Sequence, residues 1–205
     1  MSDIKEEILY KVHNNLYVNL TNKCPCSCTF CLRQNMDRVG DSDSLWLDHE
    51  PDYDEVVTAF NNKKMDEFNE VVFCGFGEPT EAFATLVKVA DFIKKKYKKN
   101  IRLNTNGLGN LINNRDICPE LKDRIDTVSI SLNTPDAEKY YKIVRPKFGK
   151  KSFQAMLDFA KESAEYVPNV IFTTVDTTIS HEEEKKCQTI CDSLGVTYRI
   201  RPWED

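Results

Sequence analysis

Apolar residues recur along the chain with two different periods. Six short runs have the alternating or continuously apolar character of strands: Leu16–Leu20, Val71–Cys74, Ile101–Asn104, Thr127–Leu132, Val170–Val175 and Thr197–Ile200. Between them apolar positions return every three or four residues. Phe83, Leu86, Val87, Ala90, Ile93 and Tyr97 follow this helical period, as do Phe153, Met156, Leu157 and Ala160, and again Cys187, Ile190, Cys191 and Leu194, with Gly195 as a C-terminal stop. Alternating strands and helices predict an α/β fold, an open parallel sheet with helices outside. Alternation also splits each strand into two faces. Val128, Ile130 and Leu132 oppose Ser129 and Ser131; Leu16, Val18 and Leu20 oppose Tyr17 and Asn19; Tyr198 and Ile200 oppose Arg199 and Arg201. An apolar face under helices and a polar face lining a wet cavity describe a curved sheet. A closed eight-unit barrel needs about 250 residues and fills its interior with branched apolar side chains. Six units in 205 residues with a polar interior therefore predict a partial (β/α)6 TIM-like barrel, taken as one domain over residues 1–205.

Composition narrows the class. With 30% charged residues, 40% hydrophobic residues and a net charge of −5, the chain is neither disordered nor a nucleic-acid binder working by bulk charge. No run approaches the ~18 apolar residues of a membrane span. The N-terminal MSDIKEE is acidic and lacks an apolar region, so a cytoplasmic location is expected. The basic run Lys94–Lys99 closes a helix, where positive charge complements the dipole.

Cysteine changes the picture most. Of eight, four (Cys24, Cys26, Cys28, Cys31) fall within eight positions. A disulfide framework does not suit a chain of this length without an export signal. A structural zinc site wants two ligand pairs, and only Cys28 and Cys31 form a CxxC. Cys24, Cys28 and Cys31 are spaced C-x3-C-x2-C, and three thiolates from one loop suit three irons of a [4Fe–4S] cluster, leaving the fourth open. Cys26 reads as a small neighbour in the loop. Cys74, Cys118, Cys187 and Cys191 read as core residues, the last two on the apolar stripe of their helix.

With an aromatic residue, Phe30, before the last cysteine and a strand before the first, this loop resembles the signature of the radical S-adenosylmethionine (radical SAM) superfamily. The chain is most similar to its small members associated with TatD family nucleases. Gly75-Phe76-Gly77-Glu78-Pro79, after the second strand, resembles the superfamily's GGEP element, with Phe76 in place of the second glycine. The resemblance implies that the Gly75–Glu78 loop receives the ammonium of the SAM methionine moiety. It implies that Ser129, Ser131 and Asn133 meet the ribose or carboxylate, and that Arg145 pairs with the carboxylate. Asn104 and Asn106 either bind cofactor or cap their turn.

In its chemistry, the resemblance implies a radical SAM enzyme. An electron from a donor such as flavodoxin or ferredoxin enters the cluster and cleaves SAM to methionine and a 5′-deoxyadenosyl radical. That radical takes hydrogen from a small-molecule or peptide substrate under anaerobic conditions. Enzymes like 7-carboxy-7-deazaguanine synthase or a glycyl-radical activase are alternatives, as is a zinc-stabilised binding module in another class. Arg199 and Arg201, on the inner face of the last strand, would make that end of the cavity suit a carboxylate or phosphate.

Overall fold

The computed structural model describes residues 7–40 and 42–202. The acidic N-terminal residues up to Glu6, on which the expected cytoplasmic location rests, lie outside the described residues. Seven strands form one sheet in chain order: β1 (Leu9–Val12), β2 (Asn15–Val18), β3 (Glu70–Phe73), β4 (Asn100–Thr105), β5 (Thr127–Ser131), β6 (Asn169–Val175) and β7 (Thr197–Arg201). Strands β2 to β7 are mutually parallel and fall within two residues of the runs expected from alternation. β1 is an addition to that expectation. It pairs antiparallel with β2, with Val12 opposite Asn15, through a tight turn in which His13 takes φ 52°. Edge strands β1 and β7 do not meet, so the architecture is an open, partial TIM-like barrel.

One face of the sheet carries the core. Leu16, Val18, Val71, Phe73, Ile101, Leu103, Val128, Ile130, Val170 and Phe172 are buried against apolar residues of α2 (Phe83–Tyr97), α5 (Lys151–Ser163) and α6 (His181–Leu194). These include Leu86, Ile93, Met156 and Phe159, together with Cys187 and Cys191, both fully buried as the helical stripe predicts. Three further helices complete the outer layer: α1 (Tyr53–Asn61), α3 (Gly109–Asn113) and α4 (Ala137–Val144). α1 begins at a capping box, Asp52 accepting from the Glu55 amide while Glu55 accepts from the Asp52 amide. Cys118 is buried in the core, but Cys74 is not part of it: one residue past β3, its parity turns it to the opposite face. Ile200, expected on the apolar face, is 41% exposed because β7 is the sheet's edge and has no strand beyond it.

The α6 N-terminus couples two helices. Ser180 and Glu183 form a capping box, and the Glu183 carboxylate also accepts from Lys139 Nζ of α4 at 2.6 Å. The Lys139 bond, then the Ser180 amide, hold Glu183 down at about 2. A carboxylate depressed by folding contributes stability that is complete above its ordinary pKa and is lost as pH falls through the folded value. Between about pH 4.5 and 2, Glu183→Gln is therefore expected to flatten the fall in unfolding free energy, measured by denaturant titration at stepped pH.

Candidate active site

The inner face is built from the residues that alternation turned away from the core. Strand register sets its rows. Tyr17, Val72, Arg102 and Thr127 are neighbours across β2 to β5; Asn104, Ser129, Ile171 and Thr197 follow across β4 to β7; then come Ser131, Thr173 and Arg199, and finally Val175 beside Arg201. Toward one side this face is closed by a small apolar cluster of Tyr10, Leu45 and Phe76, with Tyr17, Val12 and Val39 against it. Phe76 is 7% exposed and meets Trp46 edge-on at 5.2 Å. The aromatic residue in the glycine position thus anchors the segment that comes after the cysteine loop.

Polar residues at the end of β2 hold that same segment. Asn19 Nδ2 donates to the Leu45 carbonyl, and Asn22 exchanges two bonds with the Leu47 backbone. Thr21 and Lys23 both donate to Glu50. The cysteine loop between these anchors is shaped by backbone bonds to the end of α4: Ser27 N donates to Val144 O at 3.1 Å and Thr29 N to Ile143 O at 2.8 Å, and Lys147 N donates to Pro25 O. Arg33, not singled out from sequence, ties the loop shut by donating to the carbonyls of Asn22 and Cys26.

All eight cysteines are free thiols, and Cys24, Cys28 and Cys31 are half-buried. Cys26 is buried and hydrogen-bonds to both Cys24 and Cys28. That bond is the largest cause lowering the Cys24 and Cys28 thiols, and Arg33 adds a positive charge that lowers Cys24, Cys28 and Cys31 alike. Burial outweighs the charge at Cys31, whose thiol is raised. The donor set fits an iron–sulfur cluster: three soft, accessible thiols on one loop, near a cation that favours their thiolate forms. Phe30 is 48% exposed beside them, with Leu32 and Met36 also exposed.

The Gly75–Glu78 loop lies directly against the cysteine loop. The Glu78 amide donates to the Lys23 carbonyl at 2.8 Å. A Cβ at Gly77 would stand 2.1 Å from the Thr21 carbonyl oxygen and 2.7 Å from that of Lys23; one at Gly75 would stand 2.0 Å from Asn19 Oδ1. Only glycine permits this approach. Gly77→Ala is expected to destabilise the protein by about 2 kcal/mol, since both obstacles are backbone. Gly75→Ala meets a side chain and should cost less. Thermal unfolding of the two variants gives the comparison.

Glu78 is 4% exposed, and its carboxylate is fully engaged. It accepts from Thr80 N and Oγ1, from Thr105 Oγ1 at 2.7 Å and from Asn106 N at 2.7 Å, riveting the loop after β3 to the end of β4. With no cation among these partners, desolvation dominates and its pKa is raised. Asn106 caps its turn, Oδ1 accepting from Leu108 N, while Nδ2 points at Cys26 Sγ at 3.7 Å. Asn104 hydrogen-bonds to the Cys74 thiol, and its buried Oδ1 has no partner. Ser129 is nearly buried on the inner face and Ser131 half-buried; Asn133, at φ 64°, bonds back to the Ser131 carbonyl. Arg145, at φ 49°, ends α4 and is exposed beside the cysteine loop, lining a surface cleft of about 320 Å³ with Tyr141, Lys142 and Pro146. The fold thus gathers the two loops, Asn104, Asn106, Ser129 and Ser131 at the C-terminal ends of the parallel strands. Arg145 reaches the group from the flank, and Arg199 and Arg201 lie on β7 at the far edge.

The sequence matches the Radical SAM superfamily over residues 18–191. That is most of the chain, and the protein belongs to this superfamily of enzymes, whose cofactors are a [4Fe–4S] cluster and S-adenosylmethionine. Solved structures with the same fold include SuiB of Streptococcus suis bound to the precursor peptide SuiA (TM-score 0.65, 17% identity over 93% of this chain and 39% of that one). A radical SAM methyltransferase from Sphaerobacter thermophilus aligns over 96% of this chain and 69% of its own (TM-score 0.64, 13% identity). The FeFe-hydrogenase maturase HydG from Carboxydothermus hydrogenoformans aligns over 93% and 44% (TM-score 0.63, 17% identity). At these identities the likeness is one of fold, and the chain spans only 39% of SuiB and 44% of HydG. Among curated proteins, no sequence matches.

Proposed function

We propose that residues 1–205 act as one radical SAM core that carries out hydrogen abstraction on a small-molecule or peptide substrate bearing an anionic group. Cys24, Cys28 and Cys31 would hold the [4Fe–4S] cluster. Once bound, cluster and SAM supply a 5′-deoxyadenosyl radical by one-electron cleavage of the sulfonium, the electron coming from a donor of the flavodoxin or ferredoxin type. The chain's own part is orientation and exclusion of water. Arg33 favours thiolates at the three cysteines. Glu78 is engaged on Thr80, Thr105 and Asn106, so the backbone of Gly75–Glu78, rather than the Glu78 carboxylate, is left to meet the SAM ammonium. Asn104, Ser129, Ser131 and Asn133 present polar groups beside it, and Arg145 supplies a carboxylate partner from the flank. Arg199 and Arg201 stand on the same inner face on β7 and suit the substrate's anion.

The observation that carries this reading is the meeting of two loops: the half-buried cysteine triplet and the Gly75–Glu78 turn, joined by the bond from Glu78 N to Lys23 O. Free cysteines throughout suit a reducing compartment such as the cytoplasm. Among the described residues no helix is long and apolar enough to cross a membrane. Anaerobic reconstitution with iron and sulfide, followed by dithionite and SAM, tests the proposal. About four irons per chain and release of 5′-deoxyadenosine are expected. One tightly held zinc per chain with no nucleoside released would overturn it.

A further inference from the structure

The inner face carries more positive charge than it balances. Arg102 of β4 pairs with Glu70 of β3 at 2.7 Å, the two side chains 13% and 27% exposed, and Glu70 also accepts from Asn15 Nδ2. Arg102 hydrogen-bonds to the Tyr17 phenol as well. Arg199 and Arg201 share this face on β7, and among the described residues neither makes an ion pair. The sheet's curvature brings Arg199, itself exposed, near enough to feel the guanidiniums of Arg102 and Arg201 together with Glu70 and Tyr17; partial desolvation and the two guanidiniums hold its pKa below the ordinary value. Three guanidiniums thus share the inner face with one carboxylate, Arg102 and Arg201 partly buried and Arg199 exposed. The Nε–H groups of Arg102 and Arg201 are buried and have no acceptor.

Buried donors ordinarily find partners, and like charges gathered on one face raise the energy of the empty site. Both defects are removed by a single ligand type. A planar carboxylate or a tetrahedral phosphoryl group offers several acceptor oxygens, and a guanidinium fork matches either. The Ser131 hydroxyl and the Tyr17 phenol stand on the same face to complete its shell.

We propose that Arg102, Arg199 and Arg201 form an oxyanion-binding site on the inner face, which holds the carboxylate or phosphoryl end of the substrate away from the cysteine loop. Arg102 is new to this group: nothing in the sequence distinguishes it, and Glu70 neutralises only part of the cluster. The proposal rests on the radical SAM reading only in naming the bound molecule a substrate.

Arginine-specific labelling of the reconstituted holoenzyme with phenylglyoxal, followed by peptide mass spectrometry, tests it. Inorganic phosphate and succinate serve as separate probes. One or both should slow labelling of Arg199 and Arg201, by about tenfold at ten times the dissociation constant, as mass action requires. Labelling of Arg115, an exposed arginine paired with Glu120, should be unaffected. Protection by phosphate alone assigns a phosphoryl group, and protection by succinate alone a carboxylate. In Arg199→Gln, Arg201 should lose its protection, and Arg199→Lys should retain part of it. No protection by either probe overturns the proposal, as does equal protection of Arg115 or full protection of Arg201 in Arg199→Gln. Release of 5′-deoxyadenosine is measured on the same preparation. If it fails while protection persists, the radical SAM reading falls and the anion site stands.

Discussion

Cys24→Ala, Cys28→Ala and Cys31→Ala each yield a folded protein that retains no [4Fe–4S] absorbance after reconstitution and forms 5′-deoxyadenosine only at the background rate, whereas Cys26→Ala keeps its iron. The fold survives because the loop's shape depends on backbone bonds: Ser27 to Val144, Thr29 to Ile143, and Arg33 to the carbonyls of Asn22 and Cys26. None of these involves a thiol. The cluster does not survive, because two thiolates leave two irons without protein ligands. Cys26 is the most buried of the four and sits in the core cluster with its thiol toward Cys24 and Cys28, which suits a neighbour better than a ligand. Iron content, the visible spectrum and nucleoside release form the measurement. Loss of iron in Cys26→Ala with retention in Cys24→Ala would reverse the assignment of ligands.

Glu78→Ala is expected to lower stability by about 3 kcal/mol or more, roughly 10 °C in Tm, because it strands buried donors whose only acceptor was this carboxylate. Thr80 N and Oγ1, Thr105 Oγ1 and Asn106 N all lose their partner at once. Glu78→Gln should recover part of the loss, since one oxygen remains, while its amide N–H₂ now faces donors. The same residue bears on pH. Burial raises its folded pKa, so folding takes up a proton there: its contribution is greatest below the ordinary carboxylate pKa and declines as pH rises through the folded value. A loss below about 1 kcal/mol by chemical denaturation would show that the loop after β3 holds its place without this rivet.

Several parts of this molecule are legible from local chemistry. The six parallel strands announce themselves because a strand buried on one face must alternate, and the helices α2, α5 and α6 because a half-buried helix must repeat its apolar residues every three or four positions. The fates of Cys187 and Cys191 follow from that stripe. Strand β1 escaped because Ile8-Leu9-Tyr10-Lys11-Val12 is short and its pairing with β2 depends on a tight turn at His13 and Asn14. Helix α1 was open to reading, since Asp52 and Glu55 stand at capping-box spacing before an apolar run.

The site divides along the same line. Cysteine spacing, the two glycines beside Phe76, and the parity that turns Arg199 and Arg201 inward are properties of short segments, set by covalent distance and strand geometry. Those the chain determines locally. That Glu78 acts as a rivet between β3 and β4, that Arg33 closes the cysteine loop, and that Phe76 reaches Trp46, Tyr10 and Leu45 depend on partners many residues away. Such partners are chosen by packing and desolvation across the assembled sheet. The joining of Arg102 with Arg199 depends on the curvature that brings inner-face side chains of β4 and β7 within electrostatic reach of one another. Charge and register on single strands could not disclose it, because electrostatic proximity exists only once the sheet has bent around the cavity.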